Sequence, residues 1–173
     1  WTGSPDGEYS MEKMRKQFMG IYEIDWDAER EVVSAEPFMS YTVHDAVALA
    51  GLADRLPDLY PRWLEFLASG YDTIGECWGW GTHVHGWSCT PTRDLIFYTL
   101  GVTPAAPGYA AARIAPRLGR LVWAKGAVPT PHGLIHVEVS GAQVTVDSPV
   151  PVVVAFAGQP VRSLSAGRHV VTA

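Results

Sequence analysis

The hydrophobic pattern of this chain changes its period at Gly101, and that change constrains the fold more than any other feature. Before Gly101, apolar residues recur at helical spacing over residues 11–22, 40–56, 58–69 and 90–100. After it, short alternating runs predict strands at 113–118, 121–128, 134–139, 143–147, 152–156, 161–164 and 169–172. Because strands spaced in this way suit a small antiparallel sandwich or sheet, we predict an α+β chain of two units, residues 1–101 and 102–173.

Turn and cap residues set the expected ends of the helices. Pro57 lies between the second and third helical runs, which predicts an antiparallel helical hairpin. Gly70 is placed to end the third helix and Thr90 to cap the fourth. We interpret Asp94 as a carboxylate that favours the positive end of this fourth helix, and residues 103–108 as a rigid connector.

Composition argues against two classes of partner. The chain carries 13 Lys and Arg against 18 Asp and Glu, and it has no basic stripe with interleaved aromatic residues, so we expect no nucleic-acid partner. The longest apolar run, residues 150–157, is broken by Pro151 and is too short to span a bilayer, so we expect no membrane partner. No signal-peptide pattern opens the chain, which favours a cytoplasmic location, and the start at Trp1 without Met predicts a fragment of a longer protein.

The segment 70–89 has a composition unlike that of a core helix or strand. From residue 76 to residue 87 it places one carboxylate and five rings, namely Glu76, Trp78, Trp80, His83, His85 and Trp87. Each glycine costs roughly 0.5–1 kcal/mol in regular structure. Indoles around a carboxylate on such a backbone suit a concave sugar site, because flat apolar faces stack on a sugar ring while polar groups bind its hydroxyls.

Each residue type in this segment also has a plainer interpretation. Glu76 suits a proton acceptor if the indoles partly desolvate it, and otherwise it is a loop carboxylate bonded to nearby amides. His83 and His85 can bind sugar hydroxyls, bond backbone carbonyls or, with Cys77 and Cys89, hold zinc. The cysteine and histidine spacing is not that of a zinc finger, so we expect no metal and no other cofactor. The tryptophans pack in a core or line a cleft, and we expect at least one of them to line a cleft.

Four motifs follow one another in an order that is more specific than any single motif. They are Gly70-Tyr-Asp-Thr-Ile-Gly-Glu76, Thr82-His-Val-His-Gly-Trp-Ser88, Leu100-Gly-Val-Thr-Pro-Ala-Ala-Pro-Gly-Tyr109 and Trp123-Ala-Lys-Gly-Ala-Val-Pro-Thr-Pro-His-Gly133. The series resembles the C-terminal part of bacterial α-L-rhamnosidases, glycoside hydrolase family 78. The similarity runs from about residue 37 to the end of the chain.

The resemblance implies that residues up to about 101 are the last helices of an (α/α)6 barrel and that the rest is a C-terminal β-sandwich. It implies an inverting glycosidase acting on a terminal rhamnose-containing glycoside, with Glu76 as general base and His85 and Trp87 as sugar contacts. Further candidates for substrate binding are Trp78, Trp80 and His83. The general acid would lie in the N-terminal remainder of the same enzyme, so we expect this chain alone to be inactive.

Departures from the family pattern leave the exact sugar open, and a second hypothesis is kept beside the first. Gly75 stands where the family tends to carry an aromatic residue, and Asp72 stands where it tends to carry Thr. The interval from Glu76 to His85 is compressed to nine residues. The alternative function is a non-catalytic carbohydrate-binding or structural module.

Overall fold

The computed structural model describes residues 35–79 and 81–173. The predicted helix at 11–22 and Trp80 lie outside these residues. The helical part contains α1 (Ser40–Leu49), α2 (Leu64–Ala68) and α3 (Thr90–Asp94), and a π-helical turn (Leu95–Thr99) continues α3. Short 3-10 segments connect and flank these elements at Pro37–Met39, Ala53–Asp58, Tyr60–Trp63, Gly86–Ser88 and Pro107–Tyr109.

The helices are shorter than the apolar pattern predicts, because glycine and proline interrupt them. The run at 40–56 is helical only to Leu49, and Gly51 follows with a φ of +79°. Pro57 lies inside the 3-10 segment Ala53–Asp58 instead of in a two-residue turn. Gly70 follows α2 with a φ of +85°, as the sequence predicts for a helix end. Thr90 begins α3 instead of capping it, and no side chain caps that helix.

Eight short strands form two four-stranded sheets in the part of the chain after Gly101. Their bounds are β1 Val102–Pro104, β2 Ala112–Ile114, β3 Trp123–Thr130, β4 Gly133–Ser140, β5 Gln143–Ser148, β6 Val152–Val154, β7 Arg162–Leu164 and β8 Gly167–Thr172. One sheet has the order β1-β2-β6-β7 and the other the order β3-β4-β5-β8. The predicted β-sandwich is therefore observed, with seven predicted strands found within a few residues of their expected positions.

Two features of the sheets differ from the prediction. The connector interpretation of residues 103–108 is wrong at its start, because Val102–Pro104 forms β1 and pairs with β2. Pro104 is tolerated there because β1 is an edge strand, which does not need every backbone N–H for its neighbour. The pair β2–β6 is parallel, while the other pairs are antiparallel. The hairpins β3 to β5 supply the long crossover that a parallel pair needs.

The inner faces of the two sheets share one hydrophobic core. Alternate residues on β4 and β5 are buried there with residues of β2 and β6, including Ile114, Ile135, Val137, Val139, Val144, Val146, Val152 and Val154. Leu100, the last residue before the β part, belongs to the same core. A Cβ added at Gly126 of β3 would lie 3.0 Å from Leu100 Cδ2, so β3 passes directly over the end of the helical part.

Gly101 makes the junction possible. It has a φ of +76°, and a Cβ at this position would lie 2.2 Å from the Ala115 carbonyl carbon. Only glycine combines this backbone conformation with so close an approach of two chain segments. Within the described ranges, no helix is long and apolar enough to cross a membrane.

Candidate active site

The segment between α2 and α3 is irregular but is held in a defined path by its own backbone. Glu76 N–H donates to Thr82 O at 2.9 Å, and His85 N–H donates to Ile74 O at 2.9 Å. These two bonds bring the ends of the segment side by side. Glu76 and His85 therefore become neighbours although nine positions separate them in sequence.

The Glu76 carboxylate is half-buried and fixed by a single neighbour. Its Oε2 accepts hydrogen bonds from Thr82 N–H at 3.3 Å and from Thr82 Oγ1 at 3.1 Å. A Cβ at Gly81 would lie 3.2 Å from the same Oε2, so glycine there lets the backbone pass close to the acid. Both bonds that the described part of the chain donates to this carboxylate end on Oε2, which leaves Oε1 to accept a proton from a reactant.

Ser88 connects Glu76 with His85. Its side chain is fully buried, and its Oγ lies 2.9 Å from His85 Nδ1 and donates to Glu76 O at 3.3 Å. A hydroxyl has one hydrogen, so a bond with His85 requires Nδ1–H as the donor. In this tautomer Nε2 is an acceptor suited to a ligand hydroxyl, and no described residue forms a hydrogen bond with it.

Trp63 anchors Ser88 in turn, since its indole Nε1–H donates to Ser88 O at 2.7 Å. Sequence reasoning assigned no role to Ser88. The available signal was its position three residues after His85 in a segment closed by glycines.

An aromatic wall stands beside His85. The rings of His85 and Trp87 are nearly parallel, with centroids 6.3 Å apart and an interplanar angle of 14°. Phe38 meets both rings edge-on at 6.2 and 6.1 Å, and Tyr41 lies 6.0 Å from Trp87. Trp87 nevertheless remains 59% exposed, so one apolar face is open to a ligand. This face lies within the same short segment as the Glu76 carboxylate.

Trp78 belongs to a different environment. Its ring stacks on Phe66 at 5.4 Å and meets Trp63 edge-on at 5.1 Å, while the Arg62 guanidinium carbon lies 4.0 Å from its centroid. Its backbone N–H and its indole N–H donate to residues 36 and 35. These contacts favour a packing role over a sugar platform.

His83 is grouped with Trp78 and not with His85. Its exposed ring stacks on Tyr71 with centroids 4.4 Å apart. His83, Tyr71 and Trp78 line a cleft of about 210 Å³ together with Gly75 and Cys77. The two histidines thus contact different rings, and the structure does not bring them together in one site.

The unusual glycine at position 75 has a structural reason. A Cβ there would lie 2.8 Å from Phe66 Cε1 and 3.3 Å from Thr82 O. The Phe66 ring already occupies the space beside this position, so a larger residue would displace it. Phe66 of α2 therefore places an aromatic ring beside Gly75, the position at which the family pattern carries an aromatic residue.

The cysteines are free thiols in this structure. Burial raises the pKa of the Cys77 thiol to about 12, with smaller contributions from the charges of Glu36 and Glu76. A thiol with that pKa keeps its proton near neutrality. Among the described residues, no three or more His, Cys, Asp and Glu side chains converge in a metal-binding arrangement.

A buried polar network lies behind the site and was missed by sequence reasoning. Asp94 is fully buried, and its Oδ2 lies 2.5 Å from Nδ1 of the equally buried His44. Arg93 donates to Asp94 at 2.7 and 2.9 Å and to Asp45 at 2.7 and 3.3 Å. Tyr98 donates to Asp45 at 2.7 Å. The interpretation of Asp94 as a helix-dipole residue without a specific partner is wrong, because its two oxygens join α1 to Arg93.

This network joins the Arg93 guanidinium to two carboxylates and touches the site indirectly. Burial alone would lower the pKa of Arg93, but hydrogen bonds to Asp94 and Asp45 outweigh it and raise the pKa. The His44 ring meets the Trp63 ring at 5.6 Å, and Trp63 holds Ser88. The contacts therefore run from the buried carboxylate to the residue that orients His85.

Comparisons with known proteins agree on one family. Residues 101–156 match the family model of the bacterial alpha-L-rhamnosidase C-terminal domain. An alpha-L-rhamnosidase of Alteromonas sp. (strain LOR) is 30% identical over 112 residues, which is 54% of this chain and 12% of that protein. The resemblance to the C-terminal part of bacterial α-L-rhamnosidases is confirmed.

A solved structure supports the same conclusion. The crystal structure of the GH78 family rhamnosidase of Bacillus sp. GL1 superposes with a TM-score of 0.62 and 28% identity, covering 71% of this chain and 15% of that one. The chain thus spans less than a sixth of the rhamnosidases that it matches. The match to the family model begins at residue 101, so Glu76, His85 and Trp87 lie outside the matched residues.

Proposed function

We propose that this chain is part of an inverting glycoside hydrolase that cleaves terminal α-L-rhamnosides, with Glu76 as the general base. The observation that carries the proposal is the Glu76 carboxylate, held through Oε2 by Thr82 on the same short segment as His85 and the exposed Trp87. A fixed carboxylate on one segment with an apolar platform suits a base that activates a water molecule against a bound sugar.

Each site residue then has a separate task. Glu76 Oε1 accepts a proton from the attacking water. Trp87 offers its open face to a sugar ring, and His85 Nε2 accepts a hydrogen bond from a sugar hydroxyl because Ser88 fixes the proton on Nδ1. Trp80 and His83 remain predicted substrate contacts, and the packing of Trp78 supports a structural role for it.

The general acid is proposed to lie in the N-terminal remainder of the same enzyme. An inverting mechanism needs a second carboxyl group roughly 6.5–9.5 Å from the base, with room for the water between them. The relatives are several times longer than this chain, which leaves ample sequence to supply that acid. We therefore expect this chain alone to be inactive.

The helical part is proposed to be the last portion of an (α/α)6 barrel, up to about residue 101, and the rest the C-terminal sandwich domain. Large apolar side chains on the helical elements are exposed, which supports further helices packing against them. Leu49 is 89% exposed, Leu64 59% and Leu67 53%. Exposed apolar surface of this extent marks an interaction site.

Substitution of Glu76 by Gln in the whole protein tests the catalytic proposal. Gln keeps the shape and the bonds from Thr82 but cannot take a proton, so turnover of an aryl rhamnoside should fall by about 10²–10⁴. The matched control is Glu65→Gln, an exposed carboxylate on α2, which should leave turnover unchanged.

Two results would contradict the proposal. Near-normal turnover of Glu76→Gln would exclude the base role. Retention of anomeric configuration in the first-formed rhamnose, followed by NMR with the unsubstituted enzyme, would exclude the inverting mechanism.

A non-catalytic carbohydrate-binding role is the second candidate, favoured by the exposure of Trp87. Its expected mark is rhamnose binding by this chain without the rest of the enzyme, measured by calorimetry. Absence of binding at millimolar sugar would count against it.

A further inference from the structure

The outer face of the sheet β3-β4-β5-β8 carries a groove away from Glu76. Strand alternation points Lys125 and Ala127 of β3 to the same face as Glu138 and His136, their direct partners on β4. Asp147 and Arg168 continue the His136 row across β5 and β8. The groove has a volume of about 420 Å³, twice that of the cleft beside His83 and within the range of small-ligand sites.

The groove mixes hydrogen-bond donors and acceptors and has balanced charge. Lys125 and Arg168 oppose Glu138 and Asp147, and the Lys125 ammonium lies 3.3 Å from Glu138 Oε2. Thr145 adds a hydroxyl between the charged pairs. Without an excess of positive charge, the face has no electrostatic preference for a polyanion such as nucleic acid. Dense donors and acceptors with no net charge match a neutral ligand rich in hydroxyl groups.

An exposed indole lies at one end of this groove. Trp123 is 62% exposed and stands two positions before Lys125 on β3, hence on the same outer face. Its direct partner on β4 is Ser140, whose side chain is small. Gly126, on the opposite face of β3 from Trp123, approaches Leu100. The groove and the junction with the helical part therefore lie on different sides of the sheet.

We propose that this face is a second saccharide-binding site, which takes a neutral oligosaccharide with one ring on Trp123 and its hydroxyls on the polar rows of β4, β5 and β8. A flat apolar platform beside alternating donors and acceptors is the chemistry that recognises a sugar chain. The row through His136, Asp147 and Arg168 crosses the sheet from β4 to β8, so the ligand is a stretch of several sugar units and not a single terminal residue.

Calorimetric titration of the whole protein with a neutral rhamnan hexasaccharide tests this site. Glu76→Gln is present throughout so that the sugar is not cleaved. Trp123→Ala should weaken the affinity by about tenfold. Asp147→Asn, which keeps size but removes charge on the opposite side of the groove, should weaken it as well. In the background without Glu76→Gln, Trp123→Ala should leave turnover of an aryl rhamnoside unchanged.

The comparison variant is Trp87→Ala, which separates the two sites. Trp87→Ala should lower turnover of the aryl rhamnoside but leave the hexasaccharide affinity of the sheet face unchanged. Failure of the catalytic proposal would therefore appear in the turnover, and failure of the second site would appear in the affinity. The second site is refuted if Trp123→Ala and Asp147→Asn, with unchanged thermal unfolding, both bind the hexasaccharide as tightly as the parent.

Two further outcomes also overturn the site. One is tighter binding of an oligogalacturonate of the same length than of the neutral probe, which would indicate an anion-binding face. The other is a large loss of stability in Trp123→Ala without any saccharide binding by the parent, which would show that another part of the protein covers this face.

Discussion

The β part and the helical part of this chain differ in how completely they bury their own apolar side chains. Among described residues after Gly101, thirteen hydrophobic side chains are buried and six large ones are exposed. In the described residues up to Gly101, five are buried and twelve large ones are exposed. The sheets therefore enclose a core of their own, whereas the helices present much of their apolar surface outward.

A buried polar network also joins the elements of the helical part. His44 and Asp94 link α1 to α3 from buried positions. Arg93 adds hydrogen bonds to Asp94 and Asp45. Such contacts depend on geometry and on each group having its partner, whereas the core of the sheets depends on volume and area. The comparison teaches that the two parts should respond to different perturbations.

The largest effect is expected in the sandwich core. Ile135 is fully buried between the sheets, so Ile135→Ala should lower the free energy of unfolding by about 2–5 kcal/mol. Leu49→Ala on α1 should change it by less than about 0.5 kcal/mol, because that side chain is 89% exposed. Urea unfolding followed by circular dichroism measures both. Equal losses of stability in the two variants would contradict the difference in burial between the β part and the helical part.

A smaller loss is expected in the buried network. Asp94→Asn keeps the shape but removes the charge that pairs with Arg93 and His44, which should cost about 1–3 kcal/mol. Tryptophan fluorescence should detect this loss of stability, because Trp63 lies against His44. The exposed carboxylate Asp72, changed to Asn, serves as the control. A silent Asp94→Asn would show that packing and not charge joins the two helices.

Alkaline pH should weaken the helical part in preference to the sheets. Burial raises the pKa of Cys77 from 9.0 to about 12, and of Tyr60 and Tyr98 from 10.0 to about 12. The unfolded chain loses these protons from about pH 9 upward while the folded chain keeps them, so stability that is intact below pH 9 is lost as pH rises toward 12.

Urea midpoints measured between pH 8 and pH 11 check this expectation. The midpoint from tryptophan fluorescence should fall with pH, and Tyr98→Phe should flatten that decline. Tyr109, whose pKa burial also raises, is the corresponding group in the sheet part. A decline unaffected by Tyr98→Phe would assign the effect to other groups.

The smallest effect is expected for the exposed leucines of α2. Leu64→Gln and Leu67→Gln should change the stability of this chain by less than about 0.5 kcal/mol. In the whole protein the same changes should be clearly destabilising if further helices cover this surface. Equal, negligible effects in both settings would argue against the barrel assignment.

The sequence predicted the β part well because its signal is local. Alternation along β3, β4, β5 and β8 is visible in consecutive residues, and turn residues mark the ends. β1 was missed because Pro104 resembles a connector, although an edge strand accepts it. The parallel pairing of β2 with β6 could not be predicted from local pattern, since it joins strands about 40 residues apart.

The sequence proposes the members of the candidate site but not the connections between them. The motif series pointed to Glu76, His85 and Trp87 as a group, and the structure places these side chains on one short segment. The role of Ser88 depends on where a single hydrogen points, and the pairing of His44 with Asp94 spans 50 positions. Neither is encoded in spacing or composition, so only the folded geometry reveals them.

The position of Leu100 has a consequence for how such a protein can be divided or recombined. The hydrophobic period changes at Gly101, yet the preceding leucine is sealed inside the sandwich and β3 closes over it. A sandwich domain produced from residue 102 onward would lack the Leu100 side chain and would have a cavity in its core. A boundary chosen for truncation or for exchange between homologues should therefore lie before Leu100, not at the change of pattern.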